Sequence, residues 1–261
     1  MDDTWRRYVE TWIDSNPGYR YELFTDESAR TYVQDKYAGR KDIIQLFDNM
    51  HEPVLRADYI RYLTLLAEGG VYSDVDTECT RPVEDWIPVE YRNLTGLFLG
   101  IEYDARNEEI RGDFDLKVQL CQWTLASRPG NSALKHVVDR ITQALKDYSV
   151  GNPTMLVGQE KIRDIMYLTG PRIFTQAILE AMGEQVGHQV VDEDIMNLTG
   201  PKLIGDVLVM PINAFGTGQS HSGSGPGGNA DQLISHHFQG FQTWKPSHEK
   251  ADTVWVRKTS A

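Results

Sequence analysis

The most informative stretch of this chain is Gly69-Gly70-Val71-Tyr72-Ser73-Asp74-Val75-Asp76-Thr77. The residues after the two glycines are β-prone and predict a strand over residues 71–75. Side chains alternate along a strand, so Asp74 and Asp76 are expected on the same side. Two carboxylates this close repel each other unless a positive group lies between them. The pair therefore predicts a site for a hard divalent cation, which commonly carries a phosphate or diphosphate.

A helix predicted over residues 53–67 leads into this strand. Pro53 suits its first turn, and Gly69-Gly70 can end it. Asp58 and Arg61 are three residues apart and therefore share a face of the helix. One interpretation is an ion pair on the protein surface. The other is that Arg61 offers its guanidinium to a phosphate while Asp58 accepts hydrogen bonds from sugar hydroxyls.

Strands and helices alternate along the chain, which predicts an α/β fold. Strands are expected at 19–24, 71–75, 94–103 and 207–211, with later helices at 116–126, 134–145 and 172–182. This order favours a Rossmann-like mixed sheet, mainly parallel and flanked by helices. No linker divides the chain, so residues 1–261 are expected to form a single domain. The Gly/Ser tract at 216–228 is predicted to be a flexible loop, either an idle one or a lid over the site.

Composition excludes several classes of partner. The chain has 26 Lys and Arg against 38 Asp and Glu, a formal charge of -12. A field of that sign repels nucleic acid and anionic membrane surfaces, and no apolar run approaches membrane-spanning length. Cys79 and Cys121 are the only cysteines. They exclude a disulfide framework or a CxxC motif and leave two half-buried thiols or one disulfide as the alternatives.

The helix and strand segments together resemble a known family. Arg56-Ala57-Asp58-Tyr59-Ile60-Arg61-Tyr62-Leu63 followed by the 69–77 stretch is similar to the DXD-sugar glycosyltransferases related to the fungal Golgi initiating α-1,6-mannosyltransferase (glycosyltransferase family 32-like). The resemblance continues in Asn16-Pro17-Gly18, Thr169-Gly170-Pro171 and His236-His237-Phe238, in order over almost the whole chain. It implies a GT-A type fold.

The resemblance also implies an activity. It points to metal-dependent, retaining transfer of a sugar, mannose first, from a nucleotide-diphosphate donor to a glycan hydroxyl. Asp74 and Asp76 would bind Mn²⁺ or Mg²⁺, and Asp58 and Arg61 would contact the donor sugar and its phosphates. These four are the expected catalytic residues. GDP-mannose is the favoured donor, with a UDP-sugar as the alternative. The implied location is the Golgi lumen, with a soluble fragment or a cytoplasmic form as the alternatives.

Further residues are assigned to the donor on the same resemblance. They are Gly70, Tyr72, Ser73, Gln122, His237, Trp244 and Lys245. On the same resemblance His237 is assigned as the third metal ligand. Adjacent side chains on a strand face opposite sides, so at most one of His236 and His237 is expected to point into the site, and a solvated or core histidine is the alternative for either. Trp123, on the predicted helix 116–126, would either stack on a sugar or pack in the core. Glu102, at a strand end, would either form an ion pair or bind the acceptor.

Two other functions remain open. Family members usually begin with a strand of the type Ile-Pro-x-x-Ile-His-Gln-x-Trp, and this chain starts after it. A catalytically impaired relative that binds a nucleotide or glycan is therefore one alternative. The other is a Mg²⁺-dependent phosphohydrolase whose nucleophile is the first Asp of the pair. That class expects the pair near the start of the chain, together with a later Lys and a second acidic motif.

Overall fold

The computed structural model describes residues 3–106, 108–111, 114–157, 161–219, 222–228, 230–238 and 253–258. In these ranges the helices are α1 (Asp3–Ser15), α2 (Asp26–Lys36), α3 (Lys41–Asn49), α4 (Pro53–Glu68), α5 (Ser132–Ser149), α6 (Lys161–Leu168) and α7 (Pro171–Val186). The strands are β1 (Tyr19–Phe24), β2 (Gly70–Asp74), β3 (Thr77–Cys79), β4 (Leu97–Asp104), β5 (Val118–Leu120), β6 (Thr124–Ser127), β7 (Lys202–Ile204), β8 (Val207–Met210), β9 (Ile234–His236) and β10 (Thr253–Lys258).

The strands form a mixed sheet in the order β1-β10-β2-β6-β4-β8-β7, with β5 paired to β4 and with β3 and β9 as a separate ladder. The predicted mixed α/β architecture is confirmed. The expected parallel majority is wrong, because β4–β8 is the one parallel pair among the described strands. β1 and β2 do run in the same direction, but β10 lies between them and is antiparallel to both. β10 was not predicted from the sequence.

The predicted helix at 116–126 is also wrong. This segment forms β5 and β6, with Gln122 and Trp123 in the connection between them. Val118 and Leu120 are fully buried, and a short apolar run of this kind fits a strand as well as a buried helix. Pairing decides the outcome, since β5 lies along β4 and β6 lies between β2 and β4.

Two glycines allow close packing around the site elements. Gly69 ends α4 at a φ of 67°, as predicted, and a Cβ there would lie 2.7 Å from Pro129. Gly100 lies in the middle of β4, where a Cβ would lie 1.9 Å from the Phe215 ring. Both positions therefore require a residue without a side chain.

The core is built from α4, α5 and α7 against the sheet, with α4 buried along most of its length. Cys79 and Cys121 are both buried, and both are free thiols. Among the described residues, none of the helices combines the length and the apolar character needed to cross a membrane.

Candidate active site

The turn from α4 into β2 places a buried arginine between two carboxylates. Arg61 Nη1 lies 3.0 Å from Asp58 Oδ1, and Nη2 lies 3.2 Å from Asp74 Oδ1. The guanidinium also lies over the Tyr72 ring, 4.9 Å from its centre, and the Tyr72 hydroxyl donates to Asp74 Oδ1 at 2.7 Å. The side chains of Arg61 and Asp58 are each 4% exposed. This burial excludes the interpretation of Asp58 and Arg61 as an ion pair on the protein surface. Through its contact with Asp74, Arg61 joins the helix residues to the Asp-x-Asp site.

Asp58 lies in a closed hydrogen-bond network. Its Oδ2 accepts from Thr169 Oγ1 at 2.8 Å, and its Oδ1 accepts from Gln122 Nε2 at 3.3 Å. Burial raises the pKa of Asp58 to about 6, with Arg61 acting in the opposite direction. Burial likewise raises the pKa of Asp74, where Arg61 again opposes the shift and the Asp76 charge adds to it. Negative charge at this site is therefore costly without a cation nearby.

Asp74, Asp76 and His236 form a candidate metal site. One possible ligand atom of each residue lies within 4.8 Å of the other two. The β3–β9 ladder produces this arrangement by placing His236 opposite Thr77, the residue after Asp76. His236 Nε2 lies 3.1 Å from Asp76 Oδ1, while its Nδ1 is buried without a hydrogen-bond partner among the described residues. Two carboxylates with one imidazole fit a divalent cation.

His236 replaces His237 as the third residue of this cluster, which corrects the sequence-based assignment. The ring of His237 stacks on Tyr8 with centroids 4.3 Å apart, and its Nε2 lies 3.3 Å from Glu78 Oε2. Only the backbone of His237 supports the site, since its N–H donates to the Asp76 carbonyl at 3.0 Å. The alternation of adjacent side chains was anticipated correctly, but the choice between the two histidines depends on the register of the β3–β9 pairing.

Gln122 lies in the site as predicted, although on a turn and not on a helix. Besides its contact with Asp58, its Oε1 accepts from the Tyr62 hydroxyl at 2.5 Å. Tyr62 also faces the Thr169 carbonyl oxygen at 2.9 Å. Neither Tyr62 nor Thr169 was predicted to lie in the site. A signal for Tyr62 was present, because it lies four residues after Asp58 and therefore on the same helical face.

The three predicted donor residues of β2 have different positions. Tyr72 is in the site, between Arg61 and Asp74. The Ser73 side chain is fully buried, and its hydroxyl is hydrogen-bonded to the hydroxyls of Thr77 and Thr124. Gly70 begins β2, about 13 Å from Asp74 at the usual rise of a strand. Strand direction and pleat thus place Ser73 and Gly70 away from the Arg61–Asp74 contact, and their assignment to the donor stays a prediction.

Trp123 and Glu102 bind each other. The indole N–H of Trp123 donates to Glu102 Oε1 at 3.2 Å, and Gln119 donates to Glu102 Oε2 at 2.9 Å. The Trp123 ring packs against the His236 ring, with centroids 4.4 Å apart. Trp123 is 4% exposed, so packing prevails over the alternative of an open stacking surface. Trp123 thus supports the third residue of the metal cluster.

The Gly/Ser tract is hydrogen-bonded in its described part, which covers residues 216–219 and 222–228. Ser222 is fully buried and donates to the carbonyl of Gly216, and Gly218 donates to the carbonyl of Gly225 at 2.9 Å. That the tract acts as a flexible lid stays a prediction. Trp244 and Lys245, the other predicted donor contacts, lie outside the described residues.

Comparison with known proteins identifies the group to which this site belongs. A family model described as "Glycosyltransferase sugar-binding region containing DXD motif" matches residues 2–93, the segment with Asp58, Arg61 and both carboxylates of the Asp-x-Asp pair. This chain is a homologue of the DXD-motif glycosyltransferases. The resemblance seen in the sequence is therefore confirmed.

The similar proteins extend the match beyond that segment. An initiation-specific alpha-1,6-mannosyltransferase of Schizosaccharomyces pombe is 36% identical over 242 residues, covering 92% of this chain and 59% of the relative. A protein of the same description from Candida albicans is 32% identical, covering 92% of this chain and 66% of the relative. A mannosyl phosphorylinositol ceramide synthase of Saccharomyces cerevisiae is 33% identical over 45% of this chain and 30% of its own length. The chain thus spans less than two thirds of these relatives.

Among solved structures, one described as "PaToxG Glycosyltransferase" aligns with 72% of this chain and 70% of its own, at 14% identity and a TM-score of 0.40. This likeness is too weak to carry an inference about the site.

Proposed function

We propose that this protein is a metal-dependent, retaining glycosyltransferase that moves mannose from a nucleotide-diphosphate donor to a glycan hydroxyl. GDP-mannose is the favoured donor and a UDP-sugar the alternative; Mn²⁺ is the favoured ion and Mg²⁺ the alternative. The names of the similar mannosyltransferases support the choice of mannose. The same relatives, which are fungal, support the Golgi lumen as the location. Retention of configuration rests on the family resemblance.

The charge balance of the site is the observation that carries the proposal. Arg61 contacts Asp58 and Asp74, and Asp76 lies in the cluster with Asp74 and His236, so the described cluster holds three carboxylates and one guanidinium. Two carboxylate charges therefore remain, and a divalent cation beside Asp74 and Asp76 would compensate for them. His236 would complete the ligand set. The ion would supply charge stabilisation for the leaving diphosphate.

Arg61 adds a second positive group beside Asp74. Its Nε is buried and has no hydrogen-bond partner among the described residues. A phosphate oxygen would satisfy this donor, and Arg61 cannot lose its proton. The contacts with Asp58 and Tyr72 hold the guanidinium in place before the donor arrives. Such preorganised positive charge is the usual means by which transfer from a diphosphate is accelerated.

The test is the release of nucleoside diphosphate from GDP-mannose, UDP-glucose and UDP-galactose in the presence of Mn²⁺. We expect release with GDP-mannose, its loss on chelation, and its loss in Asp76→Ala. Asp192→Ala is a matched control, because Asp192 is a half-buried carboxylate outside the site. Donor binding without release would favour the catalytically impaired binder. Phosphate release from simple esters would favour the phosphohydrolase.

A further inference from the structure

The hydroxyl of Tyr62 lies beside Gln122 and Thr169, and Tyr62 is not a member of the metal cluster. Tyr62 is fully buried on α4, one turn after Asp58. Its ring stacks on Phe174 of α7, with centroids 5.4 Å apart and planes 15° apart. Burial holds the pKa of Tyr62 well above its usual value, although Arg61 acts in the opposite direction. The hydroxyl therefore stays a neutral donor across the physiological range.

The single O–H of Tyr62 faces two acceptors, Gln122 Oε1 at 2.5 Å and the Thr169 carbonyl oxygen at 2.9 Å. The other end of the Gln122 amide lies 3.3 Å from Asp58 Oδ1. An ionised carboxylate only accepts hydrogen bonds, so the NH₂ group must face Asp58 and the oxygen must face Tyr62. Rotating the amide by 180° would place its oxygen against the carboxylate. Tyr62 and Asp58 together therefore determine the orientation of Gln122.

This orientation leaves one donor on the amide. Nε2 carries two hydrogens, and Asp58 accepts one of them. Thr169 also bridges the two residues, because its carbonyl oxygen is the second acceptor near the Tyr62 O–H while its hydroxyl donates to Asp58. The single hydrogen of Tyr62 is thus shared between two groups that converge on one carboxylate, with Gln122 the nearer acceptor.

We propose that Tyr62 is a positioning residue for the donor sugar. It acts through Gln122 and Thr169 to keep the second amide N–H of Gln122 directed at a sugar hydroxyl beside Asp58. The inference rests on the proposed function, which it extends from the diphosphate to the sugar. It separates the site into a metal end, at Asp74 and Asp76, and a sugar end organised by Tyr62.

The test is Tyr62→Phe, with Tyr59→Phe as the matched control. Tyr59 lies on the same helix, is also fully buried, and shares a 2.7 Å hydrogen bond with Thr142 Oγ1 of α5, outside the site. Turnover of GDP-mannose and calorimetric binding of GDP-mannose and of GDP would be measured with Mn²⁺. For Tyr62→Phe we expect kcat to fall about tenfold or more and the affinity advantage of GDP-mannose over GDP to shrink, with GDP binding unchanged.

A double-mutant cycle with Gln122→Ala identifies the route of the effect. If Tyr62 acts through Gln122, the loss in the double variant will be smaller than the sum of the two single losses. Additive losses, or an equal loss in Tyr59→Phe, would overturn the positioning role. An unchanged kcat in Tyr62→Phe would also overturn the positioning role. If the wild type turns over GDP-mannose, the proposed function would still stand. A wild type that binds none of GDP-mannose, GDP, UDP-glucose and UDP-galactose would reject both.

Discussion

Replacing Arg61 by Met should destabilise the fold strongly at pH 8 and much less at pH 5. Arg61 lies 3.0 Å from Asp58 and 3.2 Å from Asp74, and its side chain is 4% exposed. Removing one partner of a buried ion pair costs about 3–5 kcal/mol, because the remaining charge has no compensation. We expect a loss of this size at pH 8. Met keeps most of the volume, so a cavity contributes little.

The pH dependence follows from Asp58, whose pKa is raised from 3.8 to about 6 in the folded protein. The folded state therefore holds this proton more tightly than the unfolded state. The stabilisation that results is complete below pH 3.8 and is lost as the pH rises through 6, about 3 kcal/mol in all. Without Arg61 the pKa of Asp58 in the folded protein rises further, so the folded state goes on losing stability up to a higher pH. The cost of the substitution therefore grows between pH 6 and pH 8.

Urea unfolding followed by tryptophan fluorescence, at pH 5 and pH 8 with a chelator present, measures both quantities. Trp12, Trp86 and Trp123 are buried and will report the transition. Arg140→Met is the control, since Arg140 is half exposed and pairs with Glu180 at 3.2 Å on the surface. It should cost less than about 1 kcal/mol. A cost for Arg61→Met below that level at pH 8, or one independent of pH, would refute the reasoning.

Other substitutions test separate features. In calorimetric titrations His236→Gln should weaken Mn²⁺ binding about tenfold or more, whereas His237→Gln should retain it; equal losses would reject the assignment of His236. Gly100→Ala should lower the free energy of unfolding by about 1–3 kcal/mol, because its Cβ would lie 1.9 Å from the Phe215 ring; urea unfolding measures this, and an unchanged midpoint would contradict it. Asp58→Asn should remove much of the loss of stability between pH 4 and pH 7, measured by thermal unfolding at each pH; a curve parallel to that of the wild type would exclude the raised pKa.

Short-range features of the site were predictable because they depend on local geometry. The Pro53 start and the Gly69 end of α4 follow from backbone preferences. The common face of Asp58 and Arg61 follows from helical periodicity. The position of the Tyr62 hydroxyl was not predictable, because an aromatic residue at helical spacing is usually explained by packing. Its contacts are with Gln122 and Thr169, which are 60 and 107 residues away along the chain.

The strands that were not predicted from the sequence share a different cause. Residues 118–120 and 124–127 contain short apolar runs whose helical or extended state is decided by the neighbouring strands. β10 pairs with β2 although about 180 residues separate the two strands, and β1 lies further still along the chain from β10. No local pattern specifies where such a strand inserts, and its antiparallel direction removes the expected parallel majority.

The sequence by itself determined the chemistry of one half of the site: a carboxylate pair at the end of a strand, preceded by a helix that presents Asp58 and Arg61. Spacing along one continuous segment is enough to place these groups, because helix and strand periods are fixed by the backbone. The tertiary structure alone decided the third residue of the candidate metal cluster and the neighbours of Asp58. His236 and Gln122 reach the site through strand pairing, and a shift of one residue in that register would exchange His236 for His237.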